Sequence, residues 1–247
     1  MNGLDKTPGK HTRDSFYFGM SVFCLLIVLV GFTRGFYLQN YFGLPDLPPH
    51  LVVHGVVLTS WFMLACSQPY LIRIRHPQIH RRVGIAALAT AAAVVATGVW
   101  TVAMRDAVTI DDNPSRAAGN LASLFMFLSC VILGFLFRGR SDRHKRLMMM
   151  ASIPVLAPAL DRFARIPMLN DLFGKILYWF PAPPEVAFAT LVFLTLLLAT
   201  VIHDLVRERR IRPGTIWGLV AILVLAPLAT TAVISSGGWV RLVKWLT

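Results

Sequence analysis

The residues best suited to chemistry are seven histidines. Imidazole ligates transition metals and haem iron and moves protons near neutral pH. His11 lies in a polar tail, and the other six fall into two groups. His50 and His54 are spaced i, i+4, which puts both rings on one face of a helix. Such a pair can bind a transition metal when a carboxylate completes the set. Asp46, Asp111, Asp112 and Asp161 lie on the correct side of an up-and-down chain to supply it. The plainer reading has His50 capping the start of the helix and His54 hydrogen-bonded to a neighbour. His54 sits a turn deeper, where an unpaired imidazole is costly, so it needs a partner on either reading.

The second group is His76, His80, His144 and His203. His80 and His144 each open an apolar segment and are each followed by two basic residues, whereas His203 closes one. Three helices thereby bring imidazoles to similar depth. Facing helices that each give one histidine can hold b-type haem or another metal, and the neighbouring arginines and lysines can pair with haem propionates. A quinone or a lipid headgroup is a further ligand for such a cluster. Against these stands a structural reading. Histidines at a headgroup boundary are half-solvated, and His203 at a helix carboxyl end is favoured by the helix dipole. His76 precedes Pro77 in a loop and fits no site.

The elements that must carry these residues are membrane helices. The 247-residue chain is 56% hydrophobic and 15% charged, where a soluble domain carries about a quarter charged residues. The apolar residues come in blocks near the length that crosses a hydrocarbon core of about 30 Å. The expectation is an all-α, integral membrane, seven-helix bundle with spans near 16–36, 51–72, 83–103, 121–137, 147–160, 186–202 and 215–235. A polar tail (1–15) precedes this single domain (16–235), and a short tail (236–247) follows it. The fifth span is short and holds Pro154 and Pro158, which suits a bent helix buried among its neighbours. The first span is long and lacks a small-residue cleavage pattern, so it reads as a retained helix and not a signal peptide.

Every second loop is basic. Lys6, Lys10 and Arg13, then Arg73, Arg75, Arg81 and Arg82, then Arg138, Arg140, Arg143, Lys145 and Arg146, then Arg207, Arg209, Arg210 and Arg212 fall on one side. The positive-inside rule puts that side in the cytoplasm of a bacterial inner membrane, with the N-terminus inside and the C-terminus outside. The formal charge of +12 is thus accounted for by loops facing lipid headgroups, and no nucleic-acid partner is expected. The partners are the lipid bilayer and, for a redox protein, a quinone or another redox partner. Cys24, Cys66 and Cys130 lie inside apolar blocks without CxxC spacing and read as small buried residues.

On the outer side, 172–180 reads as an interfacial helix with Tyr178 and Trp179 at headgroup level, and Trp100, Trp239 and Trp245 fit an aromatic belt. Arg34 can snorkel outwards, and Asp161 pairs with Arg165 at i, i+4. No dinucleotide, Walker, nucleophile-elbow or CxxCH motif is present.

The segments opening at His80 and His144 look like a repeat, with the second and third helices matching the fourth and fifth. His76-Pro77-Gln78-Ile79-His80-Arg81-Arg82-Val83-Gly84 and His144-Lys145-Arg146-Leu147-Met148 also resemble uncharacterised bacterial multi-pass membrane proteins, which carry HPxxHRxxG and HRRWM-like helix starts. The arrangement distantly resembles the ascorbate-reducible and ferric-reductase-like cytochromes b, over roughly residues 50 to 165. That second resemblance implies b-type haem between histidines of neighbouring helices. The cytochromes need paired histidines at both membrane faces, and here the outer face offers only His50 and His54 on one helix. The resemblance therefore implies a single inner haem. The resulting expectation is electron transfer through a haem or metal on His80, His144 and His203, with His50 and His54 as a separate metal pair. The alternative is a non-redox protein, a small transporter or accessory subunit, with structural histidines.

Overall fold

The structure, a computed structural model, describes residues 15–106, 115–164, 166–176 and 183–246, all of them helical or connecting. In order, α1 is Phe16–Phe32, α2 Pro49–Arg73, α3 Pro77–Asp106 and α4 Ser115–Leu136. Then come α5 Ser141–Ser152, α6 Ala157–Ala164, α7 Pro167–Ile176 and α8 Pro184–Glu208, followed by α9 Pro213–Val220, α10 Ala226–Ser235 and α11 Gly238–Leu246. Proline opens α2, α8 and α9 in the first turn, where its missing N–H has no partner to lose. Arg209, in the left-handed region at φ 54°, closes α8 and donates its N–H to the Leu205 carbonyl.

Among the described residues, six helical stretches are long and apolar enough to cross a membrane: Phe16–Tyr37, Pro49–Arg73, Pro77–Arg105, Ala118–Leu136, Val186–Glu208 and Pro213–Ser235. Their outer faces carry Phe23, Leu26, Ile85, Leu198 and Leu228, all exposed. Apolar surface on this scale is what a bilayer covers, and the chain has the make-up of a multi-pass membrane protein.

The segment expected as the fifth span is broken and central. A 3-10 turn, Pro154–Leu156, separates α5 from α6, because Pro154 cannot donate to the preceding turn. Leu147, Met150, Ala151, Leu156 and Ala159 on it are fully buried. The core gathers round it. Trp61 Nε1–H donates to Ser152 Oγ at 3.2 Å, and the same indole meets Phe127 edge to face at 4.9 Å. Cys24 and Cys130 are buried in this core, and all three cysteines are free.

Two helices contain π turns, Thr33–Tyr37 at the end of α1 and Ala221–Leu225 between α9 and α10. The composition of those runs gives no sign of them.

The aromatic belt needs one correction. Trp239 is buried in a small satellite core with Val102, Ala103, Leu121 and Val243. α11 folds back against α3, so this indole faces protein and not headgroups. Trp100 and Trp245 are exposed. Of the expected interfacial helix, α7 is seen to Ile176, and Tyr178 and Trp179 lie outside the described residues. The expected Asp161–Arg165 pair, the polar tail with His11, and Asp111 and Asp112 also lie outside them, in whole or in part.

Candidate histidine site and its ion-pair support

His80 and His144 meet. Their ring centroids are 6.3 Å apart and the ring planes are nearly perpendicular, at 86°. Each ring sits at the start of the second helix of a hairpin, and the hairpins α2–α3 and α4–α5 are two of the most closely packed helix pairs. In both hairpins the histidine turns back towards the preceding helix. His144 Nδ1 lies 2.8 Å from the Gly134 carbonyl of α4. A carbonyl only accepts, so Nδ1 carries a proton and turns it to that carbonyl. The His80 ring lies against Gln68 of α2, and its Nδ1 is buried with no hydrogen-bond partner.

The parallel extends one turn further. Gly84, four residues after His80, faces the Gln68 side chain, and a Cβ there would lie 3.7 Å from Oε1. Met148, four residues after His144, faces Gly134, where a Cβ would lie 2.7 Å from its sulfur. The two hairpins thus use the same contact with the small residue on opposite partners.

His203 is placed elsewhere. Its ring stacks on Phe16 of α1 at 4.1 Å and meets Tyr17 edge-on at 5.5 Å. It shares the end of the bundle with the pair but faces the first helix. His76 is exposed in its turn. The outer histidines go separate ways. His50 meets Trp100 edge-on at 5.9 Å. His54 has the partner that its depth requires, with Nδ1 3.0 Å from Thr97 Oγ1. No group of three His, Cys, Asp or Glu residues is placed to hold a metal ion among the described residues.

Sequence reasoning missed the strongest polar feature of this end of the molecule. Arg146 and Asp204 are both buried, at 1% and 0% exposure, and bonded across α5 and α8. Nε and Nη2 of Arg146 donate to Asp204 Oδ1 at 2.9 and 2.6 Å. Asp204 Oδ2 accepts from the Arg212 N–H at 3.0 Å and from the Thr215 hydroxyl at 2.6 Å. Nη1 of Arg146 donates to the Asp142 carbonyl at 2.8 Å and its carboxylate at 2.5 Å. Glu208 pairs with Arg212 beside them. The Asp204 carboxylate thus accepts four hydrogen bonds and Arg146 donates four, the kind of pairing under which buried charge is tolerable. The cluster joins α5, α8 and α9 two residues from His144 and one from His203.

A signal for it existed. Asp204 is an acid near the carboxyl end of a helix, where the dipole disfavours it, in a chain with few acids and many arginines. Such a carboxylate requires a cation. Compared with known protein families, with characterised proteins and with solved structures, the chain matches none.

Proposed function

We propose that this chain is a seven-helix bacterial inner-membrane protein that holds a b-type haem between His80 and His144 and passes electrons. The observation that carries the reading is the pair itself: two imidazoles from different hairpins, with centroids 6.3 Å apart and ring planes nearly perpendicular. A metal–imidazole bond is about 2 Å and a ring nitrogen lies about 1 Å from its centroid, so two imidazoles on opposite sides of one metal have centroids roughly 6 Å apart. His144 has its second nitrogen fixed by a backbone carbonyl, the usual outer support of a ligating histidine. His80 contributes the buried Nδ1 that has no protein partner.

The donor set favours haem over a bare ion. A lone transition metal draws three or four ligands from the protein, and the described residues bring only two imidazoles together. Haem iron asks for just that number, because the porphyrin supplies the rest. When bound, the haem supplies one-electron redox chemistry. The chain's own residues hold it. The Gly134 carbonyl sets the His144 tautomer, the Arg146–Asp204 pair fixes the helix that bears His144, and exposed Arg81 and Arg82 offer charge to propionates. His203, against α1, is assigned no ligand role. A quinone or a redox protein would exchange the electron.

The test is a visible spectrum of detergent-purified protein made with ample haem, oxidised and dithionite-reduced. The reduced α-band of b haem is expected, lost in His80→Ala and in His144→Ala and kept in His76→Ala. A colourless wild-type protein would overturn the reading. The two histidines would then be helix-start anchors on their carbonyls, in a non-redox membrane protein.

A further inference from the structure

The half of the bundle away from His80 and His144 is hollow. A cavity of about 780 Å³ lies among α1, α2, α3, α4, the broken segment and α8. This is within the range of about 300–1,000 Å³ in which proteins bind small organic molecules. Its depth is apolar, lined by Val28, Leu58, Val94, Ile153 and Phe193. Into that apolar wall two polar rings are set, His54 of α2 and Tyr37 at the end of α1. What they offer a ligand depends on where their protons already are.

The Thr97 hydroxyl of α3 donates to the Ala93 carbonyl at 2.7 Å. Its only proton is thereby used, so His54 Nδ1, 3.0 Å away, donates to the Thr97 oxygen. His54 has no ion-pair partner among the described residues. A lone imidazolium among apolar side chains would be costly, so the ring is neutral and its Nε2 holds a lone pair.

Tyr37 repeats the device. The Thr59 hydroxyl donates to the Gly55 carbonyl at 2.7 Å, so it accepts from the Tyr37 hydroxyl, also at 2.7 Å. The Tyr37 proton is spent, and its oxygen keeps lone pairs. Both rings therefore present acceptors, each held in place by a threonine that is itself tied to its own helix.

The two acceptors stand on opposite flanks of one helix. His54 and Thr59 are five residues apart, which is about 140° round α2 and about 7.5 Å along it. His54 turns towards α3, and Thr59 towards the end of α1. Gly55 lies between them with the Phe36 ring packed on it, and a Cβ there would lie 2.5 Å from that ring. Phe36 also lines the cavity, brought there with Gly35 and Tyr37 by the π turn that ends α1, and π turns gather at functional sites. The wall thus joins two outlying acceptors by an aromatic ring. Its complement is a planar ring with an O–H or N–H at each of two opposite ends. A ketone or a carboxylate would set lone pair against lone pair. Among neutral compounds that dissolve in a bilayer, the reduced form of a quinone has this pattern, two phenolic hydroxyls across one ring.

We infer that this cavity binds a membrane quinol, with one hydroxyl donating to His54 Nε2, the other to the Tyr37 oxygen, and the ring against Phe36. The redox character of the ligand rests on the electron-transfer reading, whereas the need for two donors on one ring rests on the cavity alone.

The experiment is equilibrium dialysis, without oxygen, of radiolabelled duroquinol (tetramethylhydroquinone) against the full chain in phosphatidylcholine nanodiscs, with empty nanodiscs as background. It is run on wild type and on His80→Ala, so that binding is read with and without a haem. Saturable binding of one duroquinol per protein is expected in both. Duroquinone, dialysed separately, should bind at least tenfold more weakly. So should the dimethyl ether of duroquinol as competitor, since it keeps the ring and the oxygens and lacks the protons. Tyr37→Phe removes one oxygen and should weaken duroquinol at least threefold with the melting temperature unchanged, and Tyr37→Phe with His54→Leu should weaken it at least tenfold. No saturable binding, equal binding of duroquinone or the ether, or wild-type affinity in well-folded Tyr37→Phe would each overturn the inference. Saturable, donor-dependent binding by a colourless protein would remove the haem and leave the cavity site standing, whereas a b-type spectrum without duroquinol binding would do the reverse.

Discussion

Replacing Asp204 by alanine would leave the Arg146 guanidinium 1% exposed with its main counter-ion gone. Breaking a buried pair from one side costs about 3–5 kcal/mol, because the remaining charge can neither be solvated nor be neutralised. Asp204→Ala should therefore lose most of the stability of this end, measured by denaturant unfolding in detergent. Asp142→Ala should lose far less, since that carboxylate is 42% exposed. Arg146→Met with Asp204→Leu should regain much of the loss, and an Asp204→Ala protein as stable as wild type would mean that the pair does not form. The same residues show what a sequence reveals at this scale. His80 and His144 were legible because each opens a helix beside a repeated basic pattern, and position alone gives their depth. Asp204 was not, because its meaning depends on a cation 58 positions away. His203 was legible as to depth only. Which way its ring faces is set by the rotation of α8, and the apolar residues there run almost all round the helix.

Close approach decides more than composition does at the scale of the elements. A Cβ on Gly31 of α1 would lie 2.7 Å from the carbonyl oxygen of Ala159 in α6, which is backbone and cannot swing aside. Small residues at such crossings are how membrane helices gain packing when lipid is as apolar as leucine. Gly31→Ala should destabilise by about 1–3 kcal/mol, the usual cost of overpacking. Gly19 of the same helix has nothing within 4 Å of the corresponding point. Gly19→Ala should be neutral or add up to about 1 kcal/mol through helix propensity. Thermal melts of both variants under one detergent condition check the contrast, and equal effects would mean that α1 and α6 do not touch. The long helices themselves were readable from apolar blocks bounded by proline and arginine. The break at Pro154 was foreshadowed by its prolines. The π turns were not, because no residue in those runs forbids an ordinary turn.

The number of crossings belongs to the whole molecule, and the broken segment decides it. Six stretches qualify as spans by length and apolarity. The pieces α5 and α6 are each too short to count, yet their contacts run the length of the bundle. Arg146 near the start of α5 bonds Asp204 near the end of α8, and Lys145 lies 4.7 Å over the Tyr17 ring at the start of α1. Asp161 and Arg162 in α6 line the cavity beside Tyr37 at the end of α1 and Arg105 at the end of α3. The broken segment thus reaches from one end of the bundle to the other, and the basic turns 73–76, 137–140 and 209–212 gather at one of those ends, the pattern that the positive-inside rule reads as a cytoplasmic face. The prediction follows from counting. With seven crossings, a reporter enzyme active only outside the cytoplasm should be silent when fused in 137–140 and in 209–212, and active after Gly43 and after Thr247. With six, the turns 137–140 and 209–212 would fall on opposite sides, and the fusions in them would report oppositely. That outcome would remove the seventh crossing and with it the Arg146–Asp204 pair, since a single chain cannot keep both basic turns on one side without passing back through the bilayer between them.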